Sequence, residues 1–137
     1  VNSDLRAEVL AAASEVVTAF GAHNVERYFA SFAEDATFLF HNHDELITSR
    51  AEYEQVWRAW EKEGFKVLGC RSVEPRVTLI GPASAVFTHR VRTLLSGEER
   101  ELTERETMVF TQDDDGRWLV VHEHLSVDPK ESGSNQQ

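Results

Sequence analysis

The sequence predicts a single α+β domain in which helices come first and a curved antiparallel sheet packs against them. Three observations carry this reading. Apolar residues repeat at helical spacing up to about residue 64 and at strand spacing after it. The later segments are separated by short turn chemistry: Gly81-Pro82, Ser96-Gly97-Glu98 and Asp113-Asp114-Asp115-Gly116. Connections of hairpin length join antiparallel neighbours, because parallel strands need a long crossover.

Three helices are expected. Over residues 4–20, Leu5, Val9, Ala12, Ala13, Val16, Val17 and Phe20 fall on one stripe. Ser3 or Asp4 can cap its start, and Gly21 suits its end. Asn24 can cap a short second helix whose Val25, Tyr28, Phe29 and Phe32 point one way. Ser49-Arg50-Ala51-Glu52 is a capping box for a third helix, with Tyr53, Val56, Trp57 and Trp60 as its apolar stripe and Gly64 as its stop.

Residues 36–41 form a short β-rich segment between the second and third helices. Four long strands are then expected near 66–80, 84–96, 100–111 and 117–127. Pro75 cannot donate to a ladder, so the first of them should bend or bulge there. Residues 1–129 make one domain, and the polar residues 130–137 read as a flexible tail.

The net charge of −10 repels phosphate backbones and argues against nucleic acid as a partner. The single cysteine, Cys70, excludes an internal disulfide or a cysteine-based zinc site, and it reads as a packing residue. No apolar run reaches membrane-spanning length. Val1-Asn2-Ser3-Asp4 lacks the regions of a signal peptide, so a cytoplasmic protein is expected, although the chain starts without Met and a removed leader stays open. The aspartate-rich turn lacks the spacing of a calcium loop and reads as a solvated hairpin.

The segment Gly116-Arg117-Trp118-Leu119-Val120-Val121-His122-Glu123-His124-Leu125-Ser126 resembles the last strand of SnoaL-like domains, within the nuclear transport factor 2-like, cystatin-like superfamily. It resembles still more that of the calcium/calmodulin-dependent kinase II association (hub) domain. Glu106-Thr107-Met108-Val109-Phe110 is similar to the hub's preceding strand, and Leu79-Ile80-Gly81 to one of its turns. The resemblance implies a cone-shaped fold, a pocket between sheet and helices, and a homodimer paired through the outer sheet face. It implies no single activity, because relatives include isomerases, dehydratases, cyclases and pure binding or assembly modules. The hub's pocket arginines fall here on Val91, Met108 and Leu125, which argues against a carboxylate ligand.

Under the hub alignment the pocket side carries His89, Glu106 and Glu123, a candidate catalytic set walled by Phe38, Phe40, Tyr53, Trp57, Trp60, Phe87, Met108 and Val121 as substrate-binding residues. A buried carboxyl in such a wall serves as general acid or base, with His89 as proton shuttle. The competing reading makes Glu106 and Glu123 structural partners of Arg90, Arg92 or Arg105 across strands. Trp57 and Trp60 have the spacing of core residues as well as of a stacking wall. The pairs His41/His43 and His122/His124 invite a metal, but the glycine-framed pattern of cupins is absent, and no metal or cofactor is assigned. The expected functions are therefore a cofactor-independent acid–base enzyme on a small apolar or aromatic substrate, or a non-catalytic ligand-binding or oligomer-assembly module.

Overall fold

The computed structural model describes residues 2–130. Its elements are α1 (Asn2–Gly21), α2 (Val25–Phe29), β1 (Phe32–Phe40), α3 (Arg50–Lys62), β2 (Val67–Gly81), β3 (Ser84–Leu95), β4 (Leu102–Gln112) and β5 (Trp118–Val127). The strands form one sheet in the order β1-β5-β4-β3-β2. The three helices and the four-strand meander stand as the sequence predicts. The expected tail lies, beyond Lys130, outside the described residues. Among the described residues no helix is long and apolar enough to cross a membrane.

The sheet is mixed where an antiparallel one was expected. β1 runs parallel to β5, with Phe38 beside Glu123 and Phe40 beside Leu125. The hairpin argument fails for this pair because α3 and the whole meander lie between the two strands, a crossover long enough for parallel pairing. β1 also starts at Phe32 rather than near 36, so Phe32 belongs to the strand and not to the second helix.

Two bulges shape the inner face. Between Val73 and Arg76 the register of β2 on β3 shifts at Glu74 and Pro75, where Glu74 adopts a φ of 55°. The expected bend at Pro75 is there. In β5, Val109 of β4 faces His122 while Phe110 faces Val120, so Val121 is an extra residue. An extra residue reverses the alternation beyond it. Trp118 and Val120 therefore share the buried inner face with Glu123 and Leu125, and strict alternation along this strand is wrong.

The helix ends differ in detail from their sequence signals. α1 begins by Asn2, so Ser3 and Asp4 sit in its first turn, where Asp4 meets the positive end of the helix dipole. Asn24 caps α2 through Arg27 N at 3.2 Å. Ser49 accepts from Glu52 N at 3.1 Å, but Glu52 reaches back to the Thr48 hydroxyl at 3.0 Å rather than to Ser49, which completes only half of the box. Gly21 ends α1, yet the left-handed residue after it is His23, at φ 52°.

The glycine is there for closeness. A Cβ on Gly21 would lie 3.0 Å from Cys70 N and 3.2 Å from Cys70 Cβ. His23 then ties the corner together: its Nδ1 accepts from Val67 N at 3.0 Å and its Nε2 meets Glu61 Oε2 at 2.8 Å. Below it Trp57, 1% exposed, packs against Phe65, Tyr28 and Phe29 at ring separations of 4.9, 5.2 and 5.5 Å. Gly21→Ala should therefore destabilise the domain by about 1–3 kcal/mol, the usual result of forcing a methyl into a packed contact. Urea denaturation measures it, and an unchanged midpoint would show that α1 is free to move off β2.

Candidate active site

The helices and the inner face of the sheet enclose a cavity of about 80 Å³. A water needs about 10–15 Å³ of such space, so the cavity holds several waters or one small organic group. Val16, Val17 and Phe20 of α1 line one side, Trp60 of α3 and Phe65 another, and Val91, Leu95 and Leu125 the sheet. Among the described residues no lysine or arginine lines it. The cavity therefore offers an anion no lysine or arginine countercharge.

Its polar end is built from β4 and β5. Glu104 and Glu106 alternate inward on β4, and the Val121 bulge turns Glu123 of β5 to meet them. Glu123 is 4% exposed, and its Oε1 has no hydrogen-bond partner. Glu123 and Glu106 share a side-chain hydrogen bond. Burial raises the Glu123 pKa well above the carboxylate range, and the neighbouring Glu106 charge and hydrogen bond raise it further. Burial also pushes Glu106 upward, but hydrogen bonds from Glu123 and His89 outweigh it and hold Glu106 below its ordinary value. The pair thus keeps one proton between them, on Glu123.

His89 lies opposite Glu106 in the β3–β4 ladder, and its side chain is fully buried. Its Nε2 is 2.6 Å from Glu106 Oε1, and its Nδ1 is 2.6 Å from the Ser72 hydroxyl on β2. Glu104 is raised by burial, against the hydrogen bond from His41 that draws it down. Near the acids, the Tyr28 and Tyr53 hydroxyls bond each other at 2.8 Å. Burial, and then the Glu123 charge, raise both phenols well above their ordinary values, so both hold their protons.

The structure thus brings His89, Glu106 and Glu123 together on the inner face, and among the described residues no arginine pairs with either acid. Arg90 turns outward to Glu74 and, at 3.1 Å, to Asp128. Of the expected wall, Phe40, Tyr53 and Trp60 line the cavity. Phe38, Trp57 and Met108 are packed into the core behind it, and Phe87 faces a different groove between α1 and the sheet. Val121 is the bulge residue and is absent from the lining.

Other expected sites fall elsewhere. His122 bonds Thr37 at 2.7 Å within the same chain, and His124 is exposed. Among the described residues no three histidine, cysteine or acidic groups gather closely enough to hold a metal. Cys70 lines the cavity with its thiol pushed up to about 12, chiefly by burial. Asp113 organises its turn by accepting from Asp115 N and Arg117 N at 3.0 and 2.9 Å.

Glu104, Tyr28 and Ser72 were not singled out from the sequence. The spacing Glu104-Xaa-Glu106 on one strand was a usable signal for the first. Tyr28 was hidden in an apolar stripe, and Ser72 in the polar run that precedes the bulge at Glu74-Pro75.

This architecture has known counterparts. The sequence matches the SnoaL-like domain family over residues 9–129. The chain belongs to that family. Among curated proteins nothing matches it. A nuclear transport factor 2-like protein of unknown function from Pseudomonas putida KT2440 superposes with a TM-score of 0.75 at 17% identity, covering 90% of this chain and 87% of that one. A ketosteroid isomerase-like protein from Erwinia carotovora atroseptica SCRI1043 gives 0.75 at 16%, covering 90% and 96%. A Xanthomonas campestris structure assigned to the calcium/calmodulin-dependent protein kinase II association domain gives 0.73 at 23%, covering 90% and 87%. At such identities the likeness is one of fold.

The acid pair sets a pH dependence for stability. With its folded pKa raised, Glu123 binds more protons in the native than in the unfolded state, so its contribution is present below the unfolded value and is lost as pH rises through the folded one. Glu106, held low, contributes in the opposite sense: its share is present above the unfolded value and lost as pH falls through the folded one. The substitution Glu123→Gln installs an amide that can donate to Glu106 at every pH. This variant should therefore melt higher than wild type at pH 9, with the gap closing toward pH 5. Thermal melts across that range measure this, and a gap independent of pH would contradict the protonated Glu123.

Proposed function

We propose that the domain is a cofactor-independent acid–base enzyme acting on a small, neutral, largely apolar carbonyl compound. One observation carries the reading: two carboxyls, Glu106 held low and Glu123 pushed up, lie together at the end of an apolar cavity, and one oxygen of Glu123 is unpaired. Such a pair can take a proton at one atom and give one at another. Glu106, ionised, removes a proton from the carbon beside the carbonyl. Glu123 delivers its proton to the carbonyl oxygen, giving an enol. The pair passes from one ionised member to the other, so its total charge stays at one negative unit throughout. That constancy matters where no cation is at hand and water is scarce. The Tyr28–Tyr53 pair supplies a hydroxyl donor to the same oxygen. Return of the proton to a different carbon makes the reaction an isomerisation. Apolar walls from Phe20, Phe40, Trp60 and Phe65 favour an aromatic or alicyclic substrate.

The test is deuterium exchange beside the carbonyl of small enolisable ketones, such as phenylacetone and 2-indanone, in D₂O followed by NMR. Exchange should exceed the buffer rate and fall by at least about 100-fold in Glu106→Gln. It should decline at low pH as Glu106 takes up a proton and at high pH as Glu123 loses one. Exchange no faster than buffer, or an unaltered rate in Glu106→Gln, would remove the enzymatic assignment.

The assembly reading rests on the outer sheet face, where Val86 and Val109 lie opposite each other and both are half-buried. We infer that two copies pair there. Sedimentation at micromolar concentration should give a dimer that Val109→Arg converts to monomer; a wild-type monomer excludes this pairing.

A further inference from the structure

Ser72 is a polar residue that the cavity does not use. It is exposed, and it lines a separate groove between α1 and the sheet, bounded by Leu10, Ala13, Val17, Pro75 and Phe87. Its hydroxyl lies 2.6 Å from Nδ1 of His89, and Nε2 of that ring lies 2.6 Å from the Glu106 carboxylate. A carboxylate can only accept, so Nε2 carries a hydrogen, and in the neutral ring Nδ1 presents its lone pair to Ser72. The ring is held on both sides, with its side chain fully buried, Phe87 packed on it at 4.6 Å between centroids, and the exposed Ser72 on its Nδ1 side. A hydroxyl, a base that accepts its proton and an acid that orients the base are the three parts of an activated serine nucleophile.

We propose that Ser72, His89 and Glu106 form a nucleophilic triad opening on the α1–β2 groove, with activated acyl esters bearing a short apolar acyl group as the substrate class. The Ser72 oxygen bonds to the acyl carbon while its proton passes to His89 Nδ1. The tetrahedral adduct then expels the alcohol or phenol, which receives the proton from Nδ1. Water, deprotonated by the same nitrogen, cleaves the acyl-serine to free acid and restores Ser72. Leu10, Val17 and Phe87 suit the acyl chain, and Ser14 is the other hydroxyl residue on the groove wall. The backbone near the nucleophile is the bulged, left-handed Glu74 turn, where the ladder is interrupted after Val73. This site opens on a different groove and shares with the cavity Glu106, the His89 contact that holds Glu106 low, and the wall residue Val17, so it goes beyond the acid–base reading.

The experiment treats the whole domain with an alkyl fluorophosphonate and with p-nitrophenyl butyrate. A single phosphonyl adduct should map to the peptide containing Ser72, and ester hydrolysis should stop once it forms. Ser72→Ala should take no label, and His89→Gln should label at least about 100-fold more slowly. In Ser72→Cys, iodoacetamide should alkylate residue 72 ahead of Cys70, and adding His89→Gln should abolish that advantage; this pair keeps a test available if Ser72→Ala does not fold. Folded wild-type protein that takes no label at Ser72, or a His89→Gln variant that labels at the wild-type rate, overturns the proposal. Ketone exchange by an unlabelled wild type would overturn the triad alone and leave the cavity chemistry standing.

Discussion

Two carboxyls pressed together on the inner face of a sheet cannot both be ionised, because no lysine or arginine among the described residues lines the space around them. One proton, shared between Glu106 and Glu123, is what makes the interior of this domain tolerable. The rest of the site follows from keeping that proton in place. His89 and Glu123 both donate to Glu106 and so hold it as the ionised member. One tyrosine hydroxyl donates to the other, and one oxygen of Glu123 has no partner. His41 pulls Glu104 the same way, but there burial prevails and Glu104 stays raised.

The helical layer exists to keep water from this arrangement. α1 crosses β2 closely enough that only a glycine fits at position 21 against Cys70. α3 supplies Trp57 as the centre of an aromatic cluster and Trp60 as a cavity wall. Long-range polar ties fix the layer to the sheet: Trp118 Nε1 to Glu8 at 2.9 Å, Arg50 to the Phe32 carbonyl at 3.0 Å, and His23 to Val67. Glu123 keeps an unpaired oxygen on the cavity side.

Much of this was legible in the residues. Helical stripes, a cap at Asn24 and turn chemistry located every long element, and the Trp118 to Ser126 segment pointed to the family. The late carboxylates and His89 were legible through the hub resemblance, which set the parity of their strands. Parity was not legible from the residues alone. A single extra residue at Val121, and another irregularity at Glu74-Pro75, each reverse which side chains face inward, and no local composition announces the first of them. The misplacement of Val121 follows from assuming strict alternation. Trp57 and Phe38 were misplaced for a different reason: large aromatics within one stripe divide between wall and core by depth, which spacing does not encode. The parallel partner of β1 was likewise invisible, since strand pairing across a whole domain leaves no short-range trace.

That parallel pairing bears on how the chain acquires its shape. β1 emerges early in synthesis, yet its neighbour in the sheet is the last strand to be made. Until then one side of β1 has no hydrogen-bonding partner, and Phe32 and Phe38, wholly enclosed in the finished domain, lack the strand that helps enclose them. Closure of the sheet is thus a late, non-local event, of the kind that slows folding. A chain that stopped at β4 would present an open strand edge and a bare aromatic flank together, the combination that invites association with other unfinished chains.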